Sequence, residues 1–213
     1  MTQETMKTEL IIVRHAKSVW NAERRLQGVM DIDLHPIGFQ QAEALADRLA
    51  AETFHALYSS DLKRAYQTAE CIARKTRHPI TTHAGLRERN FGILQGLTVE
   101  QIQEQYPHDW ERFRRWDPDY TVPQGVSLRE YYESGVACVE QIAKQHPGER
   151  IVIVTHGGIL NGLLRHTLSI PLSLPTRFTQ VNTAINVFAF RENTWYLDIW
   201  GDVNHLRHLE RQA

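Results

Sequence analysis

Leu10-Ile11-Ile12-Val13 runs directly into Arg14-His15-Ala16. Four consecutive apolar residues read as a buried strand. The cation and imidazole at its downstream end stand where open α/β sheets bind ligands, beyond the carboxyl ends of the strands. The same arrangement returns late in the chain, where Ile151-Val152-Ile153-Val154-Thr155 leads into His156-Gly157-Gly158 and an apolar helical stretch. A lone histidine at a strand end is most often a structural hydrogen bonder. Two at matching strand tips, one beside an arginine and one beside paired glycines, point to a single site built around an anion. Gly157-Gly158 lets the backbone approach a ligand closely, and the helix starting there offers free N–H groups and a positive dipole end.

Outward from these strands, helices and strands alternate. Pro36 and Gly38 open a helix over Phe39 to Ala51, with Ala42, Leu45, Ala46 and Leu49 on one stripe. Ala56-Leu57-Tyr58 is a short strand. Ser59-Ser60-Asp61 follows it as an N-cap cluster for a helix to about Arg74. Pro79-Ile80-Thr81 is a further strand, and residues 85–97 are loop. Ser127 to Glu130 is a capping box opening a helix to about His146, and a helix over 158–168 follows strand 151–155. Strands at about 185–190 and 195–200 are joined by the tight polar turn Arg191-Glu192-Asn193 and so run antiparallel. The order predicts a three-layer α/β/α sandwich, its central sheet mostly parallel with an antiparallel edge strand.

The stretch 98–126 differs in character, with Tyr106, Trp110, Phe113, Trp116 and Tyr120 set among arginines and punctuated by Pro107, Pro118 and Pro123. It reads as a helical insertion overhanging the sheet as a lid, within one domain spanning 1–213. Its aromatics are expected to pack the lid rather than to receive a substrate's alcohol group.

A chain of 213 residues buries ~70% of its unfolded surface and needs no disulfide or metal to fold. Its 24 Lys+Arg against 25 Asp+Glu give a net charge of −1, which speaks against a nucleic-acid partner. The two cysteines, Cys71 and Cys138, read as small buried hydrophobes. Met1 to Glu9 is polar and lacks a signal-peptide core, and no apolar run nears the ~20 residues of a membrane span. A cytoplasmic protein with no membrane contact is expected. The oligomeric state is open, a homodimer included.

Two further residues complete the candidate site. Arg64 opens the helix after a strand tip, so it can face the same sheet edge, and its planar fork matches phosphate oxygens in pairs. Glu88, in Leu86-Arg87-Glu88-Arg89-Asn90-Phe91-Gly92, is either a surface ion-pair partner or a proton donor reaching in from a glycine-flanked loop. His205 and His208 have i, i+3 spacing, but without cysteine or acidic partners they are not read as a metal site.

Arg14-His15-Ala16, Ser60-Asp61-Leu62-Lys63-Arg64-Ala65, Leu86-Arg87-Glu88 with Phe91-Gly92, and Thr155-His156-Gly157-Gly158 together resemble the histidine phosphatase superfamily. This is the branch of the cofactor-dependent phosphoglycerate mutases and their related phosphatases. The resemblance runs from about residue 10 to 205 and implies a phosphoglycerate mutase-like fold. It implies that His15 is the nucleophile that takes the phosphoryl group. Arg14, Arg64 and His156 would clamp the phosphate, and Glu88 would protonate the leaving oxygen and later deprotonate water. Asn21, Gln27 and the Gly157 N–H match further phosphate contacts. Ala16 stands where the family usually has glycine, which costs only if φ there is positive. Ser18 replaces a usual threonine, and His35 before Pro36 reads as a cap.

The chemistry agrees with those roles. A phosphoryl group in transfer spreads negative charge over its oxygens, so catalysis is mainly positioning and electrostatic stabilisation. Two arginines and a histidine supply positive charge with no metal and no cofactor. His15 must be neutral at the attacking nitrogen, with its other nitrogen donating to a backbone carbonyl. The substrate expected is a small phosphate monoester, hydrolysed through a phosphohistidine. Two alternatives stand beside this. One is a cofactor-dependent phosphoglycerate mutase, whose resemblance would require a tyrosine before Gly92 and an Asn-Lys pair beyond Gly96. Phe91-Gly92 and Gly96-Leu97-Thr98-Val99 lack that tyrosine and lysine, and the insertion is short. The other is a non-catalytic phosphate-binding protein.

Overall fold

The computed structural model describes residues 6–209. Residues 1–5 and 210–213 lie outside it, and with them part of the polar N-terminal stretch and both ends of the 1–213 domain. β1 (Thr8–Arg14) and β4 (Arg150–Thr155) run parallel, side by side, within a six-stranded sheet. β2 (Ala56–Ser59) and β3 (Ile80–Thr82) extend it in parallel on one side. β5 (Ile185–Arg191) and β6 (Thr194–Asp202) extend it on the other, giving the order β3-β2-β4-β1-β5-β6. β5 is antiparallel to both its neighbours. Glu192 and Asn193 turn that edge hairpin at φ 51° and 56°, as a two-residue type I′ turn requires.

β1 is buried along its length because helices cover both faces of the sheet. Leu10 and Ile12 face α6 (Leu128–Gln145) and α7 (Gly157–Thr167), together with Ile151, Ile153 and Phe188. Ile11 and Val13 face α2 (Pro36–Ala50) and α3 (Lys63–Thr76), together with Val152 and Val154. The alternation is the two-residue period of a strand. Leu45 and Leu49 on the α2 stripe are fully buried, each worth roughly 1.5–3 kcal/mol in transfer from water. The α/β/α sandwich is the one predicted. β1 and β4 pair with Arg14 opposite Thr155, so His15 and His156 leave the sheet side by side.

Local readings hold at two caps and fail at a third. His35 caps α2, its side chain accepting from the Ile37 N–H at 3.3 Å, and Ser127 and Glu130 close their capping box on α6. The N-cap of α3, however, is Leu62, with no side-chain cap bond. Ser60 Oγ accepts from the N–H of Leu62 at 3.3 Å and also meets His156, and Asp61 takes both ends of the Arg87 fork at 2.7 and 2.6 Å. The 85–97 loop carries short 3₁₀ turns at Ala84–Leu86 and Gly92–Leu94. Ala16 has no positive φ. It is fully buried and donates its N–H to Thr68 Oγ1 at 3.0 Å, so alanine fits there without strain. The insertion holds α4 (Val99–Gln105) and α5 (Pro107–Phe113) around a small core of Leu94, Ile102, Tyr120 and Val122. Among the described residues no helix is long and apolar enough to cross a membrane.

Candidate active site

His15 is fixed from every side. Its N–H donates to Thr155 O at 2.8 Å, and its carbonyl accepts from Asn182 Nδ2 at 2.7 Å. Its Nδ1 lies 2.7 Å from Ala16 O, so Nδ1 carries the proton and Nε2 the lone pair. Burial first, then the charges of Arg64 and Arg14, hold this imidazole well below the usual histidine range. The ring is therefore neutral and nucleophilic at Nε2. Among the described residues, the one group bonded to Nε2 is Arg64 Nε, which donates to its lone pair at 3.3 Å.

Arg64 is fully buried in the first turn of α3. Gly28 O and Met30 O accept from its fork at 2.7 and 2.8 Å. Gly28 sits at φ +54°, and a Cβ there would collide with the Gln95 side chain; both features call for glycine. Burial pushes the Arg64 guanidinium down to about 10, which leaves it charged at neutral pH. His156, the N-cap of α7, is fully buried, with its ring 5.2 Å from that of His15. Its Nε2 lies 2.9 Å from Ser60 Oγ. Burial first, then Arg64, His15 and Arg14, hold it neutral.

Arg14 Nη1 donates to Gln180 O at 2.7 Å, and the Gln180 amide donates to Gly157 O at 2.8 Å. Arg14 Nε and His156 Nδ1 are buried and have no partner among the described residues. Orphaned buried polar atoms are rare, and two of them beside a lone pair on His15 describe a receptor for an anion. The N–H of Gly157, at the first position of α7, has no carbonyl behind it within the helix.

Glu88 closes the site. Its carboxylate accepts from Arg89 N at 2.8 Å, Tyr131 Oη at 2.9 Å and Gly158 N at 3.2 Å. It lines one cavity of about 430 Å³ with Arg14, Gly157 and Gly158. A Cβ on Gly158 would overlap the Glu88 carboxylate and the Tyr131 ring. The surface ion-pair reading of Glu88 thus fails. A larger groove of about 940 Å³ between α6 and the end of α7 contains none of these residues.

Asn21 and Gln27 stand one step back. Ser18 caps the single turn α1 (Val19–Ala22), its N–H donating to Asn21 Oδ1 at 3.2 Å. The Ser18 hydroxyl donates to Gln27 Oε1 at 2.7 Å. Both oxygens are engaged, so each amide has N–H groups left to offer. Neither side chain hydrogen-bonds to Arg14, His15, Arg64 or His156.

The insertion supplies the remaining wall. Trp110, Phe113, Trp116 and Tyr120, with Phe91, line the same cavity. These rings pack the insertion as expected, Tyr120 in its small core with Trp110 and Phe113 against it, and they also border the space next to Glu88. Sequence reasoning missed Tyr131, Gln180, Asn182 and Thr68, and took Ser60 for a cap. Tyr131 directly follows the 127–130 capping box, which places it on the first turn of α6; nothing local marks the others. Among the described residues, no group of three or more His, Cys, Asp or Glu side chains is placed to hold a metal.

Comparison with known proteins agrees with this architecture. The chain is 39% identical over 207 residues to the metal-independent phosphoserine phosphatase of Arabidopsis thaliana, covering 95% of this chain and 85% of that protein. It is 38% identical over 202 residues to phosphoglycerate mutase-like protein 4 of the same plant, covering 93% and 86%. The fold matches the crystal structure of phosphoserine phosphatase from Entamoeba histolytica in complex with 3-phosphoglyceric acid. That match has a TM-score of 0.83, 28% identity, and coverage of 93% of this chain and 99% of the other. The family model of the histidine phosphatase superfamily, branch 1, matches residues 10–203. The chain belongs to branch 1 of the histidine phosphatase superfamily.

Proposed function

We propose that this protein hydrolyses small phosphate monoesters through a phosphohistidine at His15. One observation carries the reading: a neutral imidazole holds its Nε2 lone pair against the Arg64 guanidinium, which donates to it at 3.3 Å, in one cluster with the orphaned Arg14 Nε and His156 Nδ1. Phosphate oxygens would take the groups that lack partners, and the His15 lone pair would meet phosphorus. Arg14, Arg64 and His156 clamp the phosphoryl oxygens, with the free N–H groups of Asn21, Gln27 and Gly157 around them. His15 Nε2 forms the P–N bond as the ester P–O bond breaks, and Glu88 gives its proton to the departing oxygen. Water then attacks phosphorus, Glu88 takes a proton from it, and the P–N bond breaks to release phosphate. Covalent catalysis divides one hard step into two. Residues 98–126 act as the lid of this single domain, over the alcohol half of the substrate.

A hydrolase is favoured over a mutase by Phe91 before Gly92, and by Leu97-Thr98-Val99 where a mutase would need its Asn-Lys pair. The metal-independent relative in Arabidopsis supports a reaction without added metal. The test is a panel of phosphate monoesters with chelator present, following phosphate release alongside 3- to 2-phosphoglycerate conversion. Phosphate release with negligible isomerisation is expected. Isomerisation faster than release would make the protein a mutase, and binding without either reaction would make it a phosphate-binding protein.

A further inference from the structure

The Glu88 carboxylate has unequal oxygens. Oε1 accepts two hydrogen bonds, from Arg89 N at 2.8 Å and Tyr131 Oη at 2.9 Å. Oε2 accepts one, from Gly158 N at 3.2 Å. A carboxylate oxygen has two in-plane lone pairs, so Oε1 is saturated and Oε2 has one left. The phenol that completes Oε1 comes from α6, 43 residues away in sequence. It is buried, and its ring and hydroxyl lie 2.6 and 2.7 Å from where a Cβ of Gly158 would stand. Gly158 is thus bare where phenol and carboxylate close together.

We infer that Tyr131 is a positioning residue for Glu88: by filling the second acceptor site of Oε1, it assigns the transferable proton to Oε2. The inference rests on the reading of Glu88 as acid and base. In the first step the Oε2–H bond breaks, the proton passes to the ester oxygen, and the P–O bond breaks as His15 Nε2 bonds phosphorus. In the second, Oε2 takes a proton from water as its oxygen bonds phosphorus and the P–N bond breaks. Oε1 keeps both its donors throughout.

Tyr131 suits this role because it holds its own proton. Burial first, and then the Glu88 charge, push the phenol well above its usual range. Its alternative acceptor, Arg87 O, is farther away, at 3.2 Å. The other groups that act on Glu88 are fixed in both wild type and variant: Arg14 from β1, Arg64 from α3, Arg89 beside it, Tyr132 from α6 and the Gly158 N–H of α7. Taking away one hydrogen-bond donor from an ionised carboxylate favours its protonated form.

The test is the pH dependence of kcat/KM for an alkyl phosphate, in wild type, Tyr131→Phe, and enzyme with 3-fluorotyrosine at position 131. The substrate's own ionisation is common to all three and cancels. The alkaline limb is expected to move up by roughly half to one pH unit in Tyr131→Phe. It should move down with 3-fluorotyrosine, a stronger donor that keeps the hydroxyl and the packing. A rate scaled down at every pH with limbs unmoved would make Tyr131 a packing residue and overturn the inference. If Tyr131→Phe fails to fold, the fluorinated enzyme alone decides, because an unmoved limb there refutes the inference equally. Wild-type enzyme that releases no phosphate from any ester would instead overturn the reading of the site itself.

Discussion

The floor of the site and the insertion above it are built in opposite ways. On the floor the site residues are held by partners remote in sequence: the Arg64 fork by the carbonyls of 28 and 30, the His15 backbone carbonyl by Asn182, the Arg14 fork by Gln180, the Glu88 carboxylate by Tyr131. The insertion packs on its small apolar core and adds polar pairs between near neighbours, with Arg114 on Glu111, Tyr120 on Asp109, and Arg129 of α6 on Asp119. The two exposed ion pairs among them, Arg114–Glu111 and Arg129–Asp119, contribute ~0–1 kcal/mol each. The difference separates two tasks. On the proposed function, charge must be pre-placed where phosphoryl transfer develops it, whereas a cover over the alcohol half has only to be shaped.

Breaking the floor should therefore cost far more than altering the cover. Arg64→Met removes the buried guanidinium proposed to bind phosphate, and kcat/KM should fall about 10²–10³-fold or more, as for loss of one preorganised donor; steady-state assay beside circular dichroism checks this. A loss under tenfold in a folded variant would place the phosphate elsewhere. Glu88→Gln should cost about 10²–10⁴-fold on alkyl phosphates and much less on p-nitrophenyl phosphate, whose leaving group needs no proton. Equal losses on both would remove Glu88 from the acid's role. On the cover, Phe113→Ala should change kcat/KM only about 3–10-fold, since an aromatic contact contributes ~0.5–1.5 kcal/mol. An effect as large as that of Arg64→Met would mean that the insertion takes part in the chemistry.

The smallest effect separates the regions by pH. His15 and His156 are held below the usual histidine range by burial, while the unfolded chain protonates them near 6.5. Below that value the unfolded state binds more protons than the fold, so these residues subtract stability as pH falls and contribute no such loss above about 7. Each subtracts at most ~1.4 kcal/mol per pH unit until it protonates in the fold. Denaturation midpoints between pH 7 and 5 should fall less steeply in His156→Gln than in wild type. Parallel slopes would mean that His156 is not held neutral.

The strands that carry the site were legible because β1 and β4 are continuous apolar runs, and a run buried on both faces announces itself without long-range information. Arg64 was legible from its place after a strand tip, and Glu88 from its glycine-flanked loop. The Leu62 cap was not, because Ser60 and Asp61 are good local caps drawn away by His156 and Arg87, partners 96 and 26 residues distant. The grip of Asn182 and Gln180 was not legible for the same reason: a bond spanning 167 or 166 residues leaves no periodicity to read. The lid aromatics were under-read because a ring that packs one neighbour and faces a cavity looks, in sequence, like a ring that only packs.

The central claim is that Nε2 of a neutral His15 attacks phosphorus. Rapid acid-free quenching during turnover, followed by peptide mapping and phosphorus NMR, reads it directly. The account predicts one phosphoryl group per site, on His15 Nε2, stable in alkali, lost in acid, and absent from His15→Ala. A turning-over enzyme that carries its phosphoryl group on another residue, or reacts as fast after His15→Ala, would contradict it.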